Sequence, residues 1–470
     1  MPAGPGAGAW HAELAWLPGG VQADVLIEAS GDRFTAVTAG VPAAAVPAGA
    51  TRLAGLTLPG LANAHSHAFH RALRGATQAG HGTFWTWRDL MYEVAGRLTP
   101  ASYLDLATAV YAEMALAGVT CVGEFHYLHH QAGGAPYADP NEMGRALIEA
   151  AARAGLRMTL LDTCYLSGGL SPAGQPLPLT GAQQRFGDGD AAAWAERASA
   201  LLAGPAVRPG AAIHSVRAVP PAQLGPVVDW ARQRGAPLHV HLSEQRAENE
   251  ACVAAYGRTP AGVLHQADAL GPLTTAVHAT HLSASDLALL GRTGTYACFC
   301  PTTEADLADG IGPARALVAA GSALTVGSDS QAVIDLFEEA RRIELGERLL
   351  TQERGHFTAA ELAVTATAAG HASLGWPDAG QLAAGWLADL VTVSLDTPRT
   401  AGTTAASALE SVVFSATAAD VREVVTGGRT VVRDGRHVLV PDVPAALAAA
   451  IAAVRALPAA VDAVERDETE

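Results

Sequence analysis

Between residues 60 and 370 the chain alternates two textures. Apolar runs of strand length recur: GVTCVGEFHY (118–127), RMTLLDTCYL (157–166), VRPGAAIHSV (207–216), APLHVHLSEQ (236–245), TTAVHATHL (274–282), TGTYACFCPT (293–302) and ALTVGSDS (323–330). Between them lie Ala-rich stretches with helical spacing, such as MGRALIEAAARAGL (143–156) and PAQLGPVVDWARQRG (221–235). Strand, helix, strand at this rhythm predicts parallel β/α units, and about eight of them fit a (β/α)8 barrel. The flanks read differently. Residues 12–57 read as short strands with Gly/Pro punctuation, and after 375 short strands return as GWLADLVTVSLD, SALESVVFS and VREVVTGGRTVVRDGRHV. The last of these is a hairpin pattern with an Asp-Gly turn. The predicted architecture is therefore α/β: a barrel over 59–372, and a small β-sandwich built from both chain ends, 1–58 and 373–442. A C-terminal helix and tail, 443–470, completes it.

Composition narrows the chemistry. The chain has 470 residues and a net charge of −16, from 46 acidic against 30 basic residues, which argues against a nucleic-acid partner. Every basic residue is arginine; there is no lysine. Schiff-base catalysis is excluded, and so is a metal pair bridged by a modified lysine. The five cysteines form no CxxC motif and read as free thiols of a reducing compartment. The first twenty residues lack a basic start followed by an apolar stretch, so no signal peptide is expected. No membrane span is expected either, since Arg455 and Pro458 interrupt the Ala-rich stretch that comes nearest to one. The expectation is a cytoplasmic protein.

Candidate chemistry gathers at the predicted strand ends. His65 and His67 close the first barrel strand, and alternation sends residues i and i+2 to the same face. His239 and His241 close the fifth and precede Glu244; His278 and His281 close the sixth; Asp329 closes the eighth. Singly, each has a plain explanation, such as a satisfied core histidine or, for Asp329, a cap before QAVIDLFEEARRIEL. Together, at the rim where barrel side chains converge, they point away from those separate explanations and toward a metal site.

PGLANAHSHAF, HVHLSEQ, HATHLS and TVGSDS resemble the amidohydrolase superfamily, in its branch with one metal ion per barrel that includes cytosine, guanine and adenosine deaminases. The resemblance spans nearly the whole chain. It implies His65, His67, His241 and Asp329 as metal ligands, and Glu244, His278 and Asp329 as catalytic residues, with Glu244 as proton shuttle and His278 polarising the substrate. His239 and His281 remain the rival choices in their segments. His241 is favoured for its His-x-x-Glu spacing, and His278 because related deaminases often carry Tyr at the second place. The implied cofactor is one divalent ion, and imidazole with carboxylate suits zinc, iron(II) being the alternative.

Three further stretches, FWTWRDLMYEVAGRLTP (84–100), GEFHYLHH (123–130) and HSVRAV (214–219), resemble the formimidoylglutamate deiminases, which hydrolyse N-formimino-L-glutamate to N-formyl-L-glutamate and ammonia. That resemblance implies Arg88 and Arg217 on the carboxylates of a small dicarboxylate substrate, with Tyr127 and His214 as further contacts, and a homodimer. Arginine is the side chain best shaped to fork onto a carboxylate. Arg71 and Arg74 are alternative anchors, and Trp85 and Trp87 read as loop-packing aromatics. One position departs from the family pattern: His70 stands where Gln is usual, and it joins the substrate-contact set with one donor and one acceptor of its own. The competing readings are an aminohydrolase of a purine, pyrimidine or triazine ring, and a non-catalytic metal- and ligand-binding barrel.

Overall fold

The computed structural model describes residues 7–457, apart from 80, 82–83 and 172–173. Four strands open the chain: β1 (Ala7–Leu17), β2 (Gly20–Ser30), β3 (Arg33–Thr38) and β4 (Thr51–Pro59). Eight parallel strands follow: β5 (Leu61–Ser66), β6 (Val119–His126), β7 (Arg157–Cys164), β8 (Val207–Ile213), β9 (Leu238–Leu242), β10 (Thr274–His278), β11 (Tyr296–Phe299) and β12 (Leu324–Val326). Each pairs with the next in order. β5, β6 and β7 are buried at every position, as strands covered on both faces by barrel interior and helices must be.

The barrel closes where β12 returns to β5. A parallel bridge joins Ser66 and Asp329. Across the same seam the Asn63 side chain accepts from the Ser328 N–H at 2.9 Å and donates to the Ser328 hydroxyl at 2.6 Å. Gly327 makes this approach feasible, because a Cβ there would lie 2.6 Å from the His65 carbonyl oxygen. The expectation of a (β/α)8 barrel is borne out, and TVGSDS is the closing stitch.

Both chain ends supply the second layer. β13 (Leu390–Val393), β14 (Val421–Thr426), β15 (Arg429–Arg433) and β16 (Arg436–His437) join the opening strands in one mixed eight-stranded sheet. Its order is β16-β15-β14-β13-β4-β1-β2-β3. It has its own core, including Trp10, Ile27, Phe34, Leu53 and Leu390. The chain passes from this sheet to the barrel at Gly60, between β4 and β5. The β15–β16 hairpin turns at Asp434-Gly435, both with positive φ, as its sequence predicts.

One expected strand is a helix. SALESVVFS folds as the helix Ala408–Ser415, burying Leu409, Val412 and Val413. These are spaced i, i+3, i+4, the helical period, which a short apolar run conceals. The C-terminal helix spans Val443–Ala456; the tail beyond 457 lies outside the described residues. No described helix is long and apolar enough to cross a membrane.

Candidate active site

The C-terminal ends of the barrel strands bring the histidines together. His65 Nε2 lies 3.2 Å from His241 Nε2 and 3.3 Å from Asp329 Oδ1, and His67 Nε2 lies 3.4 Å from the same oxygen. His65 is wholly buried, His67 and Asp329 nearly so. Backbone carbonyls fix the outer tautomers: His67 Nδ1–H donates to Phe125 O at 3.0 Å and His241 Nδ1–H to His214 O at 2.9 Å. His67 therefore turns its Nε2 lone pair toward Asp329 and His241 turns its own toward His65, the usual arrangement of metal-binding imidazoles. Burial keeps His65, His67 and His241 below their ordinary pKa, hence neutral. Two triads of donor atoms share His65, one with His67 and Asp329 and one with His241 and His278, each within 4.8 Å, and imidazole with carboxylate at this spacing fits a divalent metal.

Asp329 does not cap the following helix. The residue capping Leu336–Thr351 is Asp335, which accepts from Phe337 N–H at 3.0 Å and Glu338 N–H at 3.2 Å. Burial works to raise the Asp329 pKa, but His65, His278 and His67 together hold it far below the carboxylate range. The backbone there is left-handed, with φ +43° at Asp329, +67° at His278, +48° at Ala279 and +51° at Ser243. Such strain in non-glycine residues gathers at functional sites.

His278 stands among three carboxylates. Its Nε2 is 3.7 Å from Glu244 Oε1 and 3.9 Å from Asp329 Oδ2, and its Nδ1 is 3.5 Å from Glu304 Oε1. Burial opposes its charge, yet the carboxylates raise its pKa well above the ordinary value. Behind the first strand, Glu124 accepts from Ser66 O–H and from Ala68 N–H, both at 2.7 Å, and braces the loop that carries His67. Burial outweighs those bonds and pushes Glu124 up to about 7.

A cleft opens above the histidines. His67, His70, Arg88, Tyr127, His214, Arg217, His241, Glu244, His278 and Asp329 all line it, with His65 directly beneath. His70 Nε2 and the Tyr127 hydroxyl hydrogen-bond at 3.1 Å. Burial pushes His70 down to about 3, so it is neutral and offers one donor and one acceptor. The Arg88 guanidinium lies 5.6 Å from the centre of the Tyr92 ring.

The rival candidates lie elsewhere. His239 donates to Ser373 O at 3.2 Å, on the same side of β9 as His241 but a layer lower, and His281 donates to Asp309 O at 2.8 Å. Arg71 and Arg74 pair with Glu113 at 2.7 and 2.8 Å, and neither lines the cleft. Trp87 does line it, with its ring 5.2 Å from that of His70, so it is more than loop packing. Sequence reasoning missed Tyr92, Tyr165, Phe186 and Glu304. Tyr165 follows the end of β7, so the strand-end rule that found the histidines also reaches it. The others sit on connecting segments with no local signal.

Histidines and carboxylates that could hold a metal ion thus gather at the C-terminal rim of a (β/α)8 barrel, a hydrolase-like arrangement, and comparison with known proteins gives the class. The amidohydrolase family model matches residues 56–431. Formimidoylglutamate deiminase of Pseudomonas aeruginosa is 38% identical over 91% of this chain and 95% of its own length. 8-Oxoguanine deaminase of the same organism is 32% identical, covering 74% of this chain and 76% of its own. The crystal structure of an amidohydrolase from Brucella melitensis superposes with a TM-score of 0.87 at 31% identity, covering 96% of this chain and all of that one. The chain belongs to the amidohydrolase family, whose members depend on metal, and is a hydrolase acting on carbon–nitrogen bonds.

Proposed function

We propose that this enzyme hydrolyses N-formimino-L-glutamate to N-formyl-L-glutamate and ammonia. The observation that carries the reading is the placement of two arginines, Arg88 and Arg217, in the same cleft as the histidine–carboxylate cluster. A dicarboxylate with a small amidine head fits that division: guanidinium forks take the carboxylates while the head meets the cluster. Likeness to formimidoylglutamate deiminase over nearly the full chain supports it.

His65, His67, His241 and Asp329 are the metal ligands in this reading, and zinc is the ion that imidazole with carboxylate favours. A bound ion supplies Lewis-acid activation of water. Asp329 accepts the proton of the attacking water. Glu244 carries a proton to the formimino nitrogen, so that nitrogen leaves as ammonia rather than as an amide anion. His278, set between Glu304 and Glu244, donates a hydrogen bond where negative charge develops. His70, Tyr127 and His214, which line the same cleft, orient the head group.

Ammonia release decides the matter, with the metal-loaded protein offered N-formimino-L-glutamate, guanine, cytosine and adenosine in parallel. Turnover of the first alone is expected. Turnover of a ring substrate instead would keep the hydrolytic chemistry and overturn the role of the arginines.

A further inference from the structure

We propose that Glu248 is a positioning residue that seats Arg217 and the Glu244 loop together, and so sets the affinity of the site for carboxylate substrates. The inference rests on the reading above in taking Arg217 as a carboxylate anchor. Glu248 lies in the first turn of the helix Arg246–Tyr256 and is buried. One of its oxygens, Oε2, accepts the N–H of Glu244 at 3.2 Å and stands 3.8 Å from Arg217 Nε. The other end of the guanidinium, through a terminal nitrogen, lies 3.7 Å from Glu244 Oε2. Arg217 thus sits between two carboxylates, one on the loop that faces the reacting head and one behind it.

A glutamate early in a helix often reaches back to cap it. Two observations exceed that role. Gln245 holds the N-cap position without a side-chain cap bond, and Glu248 reaches past it to the N–H of Glu244, on the loop that lines the cleft. Its second oxygen, Oε1, is buried with no hydrogen-bond partner among the described residues, and Arg217 Nε is in the same condition. A buried carboxylate oxygen left unbonded is costly unless its charge is used. The cation beside this carboxylate is Arg217, whose Nε stands 3.8 Å from its other oxygen.

The consequence is a division of labour. With Glu248 behind it, Arg217 keeps a counter-charge that does not compete for the substrate, and Glu244 stays free for the formimino nitrogen. Without the charge of Glu248, Glu244 is left as the guanidinium's carboxylate partner among the described residues. The pair closes, and Arg217 is withdrawn from an incoming carboxylate.

The test is Glu248→Gln, which keeps the shape and a carbonyl acceptor for the Glu244 N–H while removing the charge. Glutarate binding to the metal-loaded protein is measured by calorimetry, beside KM for N-formimino-L-glutamate, Tm and metal content. Expected are a glutarate Kd and a KM each raised at least fivefold, with Tm and metal content unchanged. In an Arg217→Met background the same substitution has no further effect on Kd. Glu248→Asp, which keeps the charge, recovers part of the affinity. Unchanged glutarate affinity in Glu248→Gln, equal loss in the Gln and Asp variants, or additivity with Arg217→Met would each overturn the proposal. Absence of ammonia release from N-formimino-L-glutamate by the unaltered enzyme would strike the functional reading instead, and glutarate binding would still decide the role of Glu248.

Discussion

His65 and Asp329 meet twice across the seam of the barrel. The Asp329 N–H donates to the His65 carbonyl at 3.0 Å, and the Asp329 carboxylate lies 3.3 Å from His65 Nε2. The backbone bond that closes the barrel thereby also sets a candidate ligand pair. Asp329→Asn keeps the shape and removes the charge that offsets a dication. Metal content by elemental analysis is expected to fall at least tenfold, in line with typical losses on disturbing a metal site, and ammonia release to vanish with it. Full metal content in this variant would mean that Asp329 is not a ligand.

Glu244 calls for the opposite outcome. It lines the cleft three residues beyond His241 and 3.7 Å from His278 Nε2. Glu244→Gln should retain metal and lose roughly a thousandfold in kcat, within the range of general acid–base catalysis. Loss of metal along with activity would reassign it.

The two arginines act on binding. Arg88→Met or Arg217→Met should raise KM for the dicarboxylate substrate by about 10–100-fold, the worth of a charge-assisted hydrogen bond. An unchanged KM in either variant would remove that arginine from the carboxylate site.

His70 is held at a pKa of about 3 by burial, so it stays neutral at every pH where the enzyme works. His70→Gln should therefore leave the pH–rate profile between about pH 5 and 9 unmoved, since neither side chain titrates there. A shifted limb would show that His70 ionises in the working enzyme.

A buried network outside the cleft governs acid stability. Arg197 forks onto Asp162, at 2.9 Å from each carboxylate oxygen, and also binds Asp188 at 2.8 and 2.9 Å. Burial would raise both carboxylates, but Arg197 above all holds Asp162 low, and His130 with Arg197 holds Asp188 low. A depressed carboxylate contributes stability above its unfolded pKa of about 3.9, lost as pH falls through the folded value. Arg197→Met should cost about 3–5 kcal/mol near neutrality by leaving buried charge unpaired. Urea unfolding should show that deficit constant above about pH 5 and shrinking below about pH 4, where wild type loses its advantage. A deficit independent of pH down to about 2 would mean that packing, not charge, is lost.

The barrel and its cluster were largely legible in the sequence, for a physical reason. In a β/α unit the strand's alternation and the turn after it decide where a strand-end side chain goes, and both are local. LANAHSH, HVHLSEQ, HATHL and TVGSDS could therefore each be placed at a strand end, and their conjunction there pointed to a site. The helix Ala408–Ser415 was misread because an apolar run of that length has no decisive period.

What the sequence determined by itself was the run of barrel strands, the coming together of both chain ends in one small β domain, expected as a sandwich and found as a single mixed sheet, and a set of histidines and carboxylates at strand ends. Tertiary structure alone decided which of them meet. His239 and His241 share a strand and a face, yet only His241 reaches the cluster, because the barrel interior is layered and Ser373 takes the lower histidine. Arg71 and Arg74 stood as alternatives to Arg88 and Arg217, and Glu113, some forty residues on, pairs with both and gives them a structural role. Glu304 and Glu248 carried no signal at all, since their charges matter only through His278 and Arg217 on other elements. Local periodicity sets which way a side chain leaves its own element; what it meets there is set by packing between segments far apart in the chain.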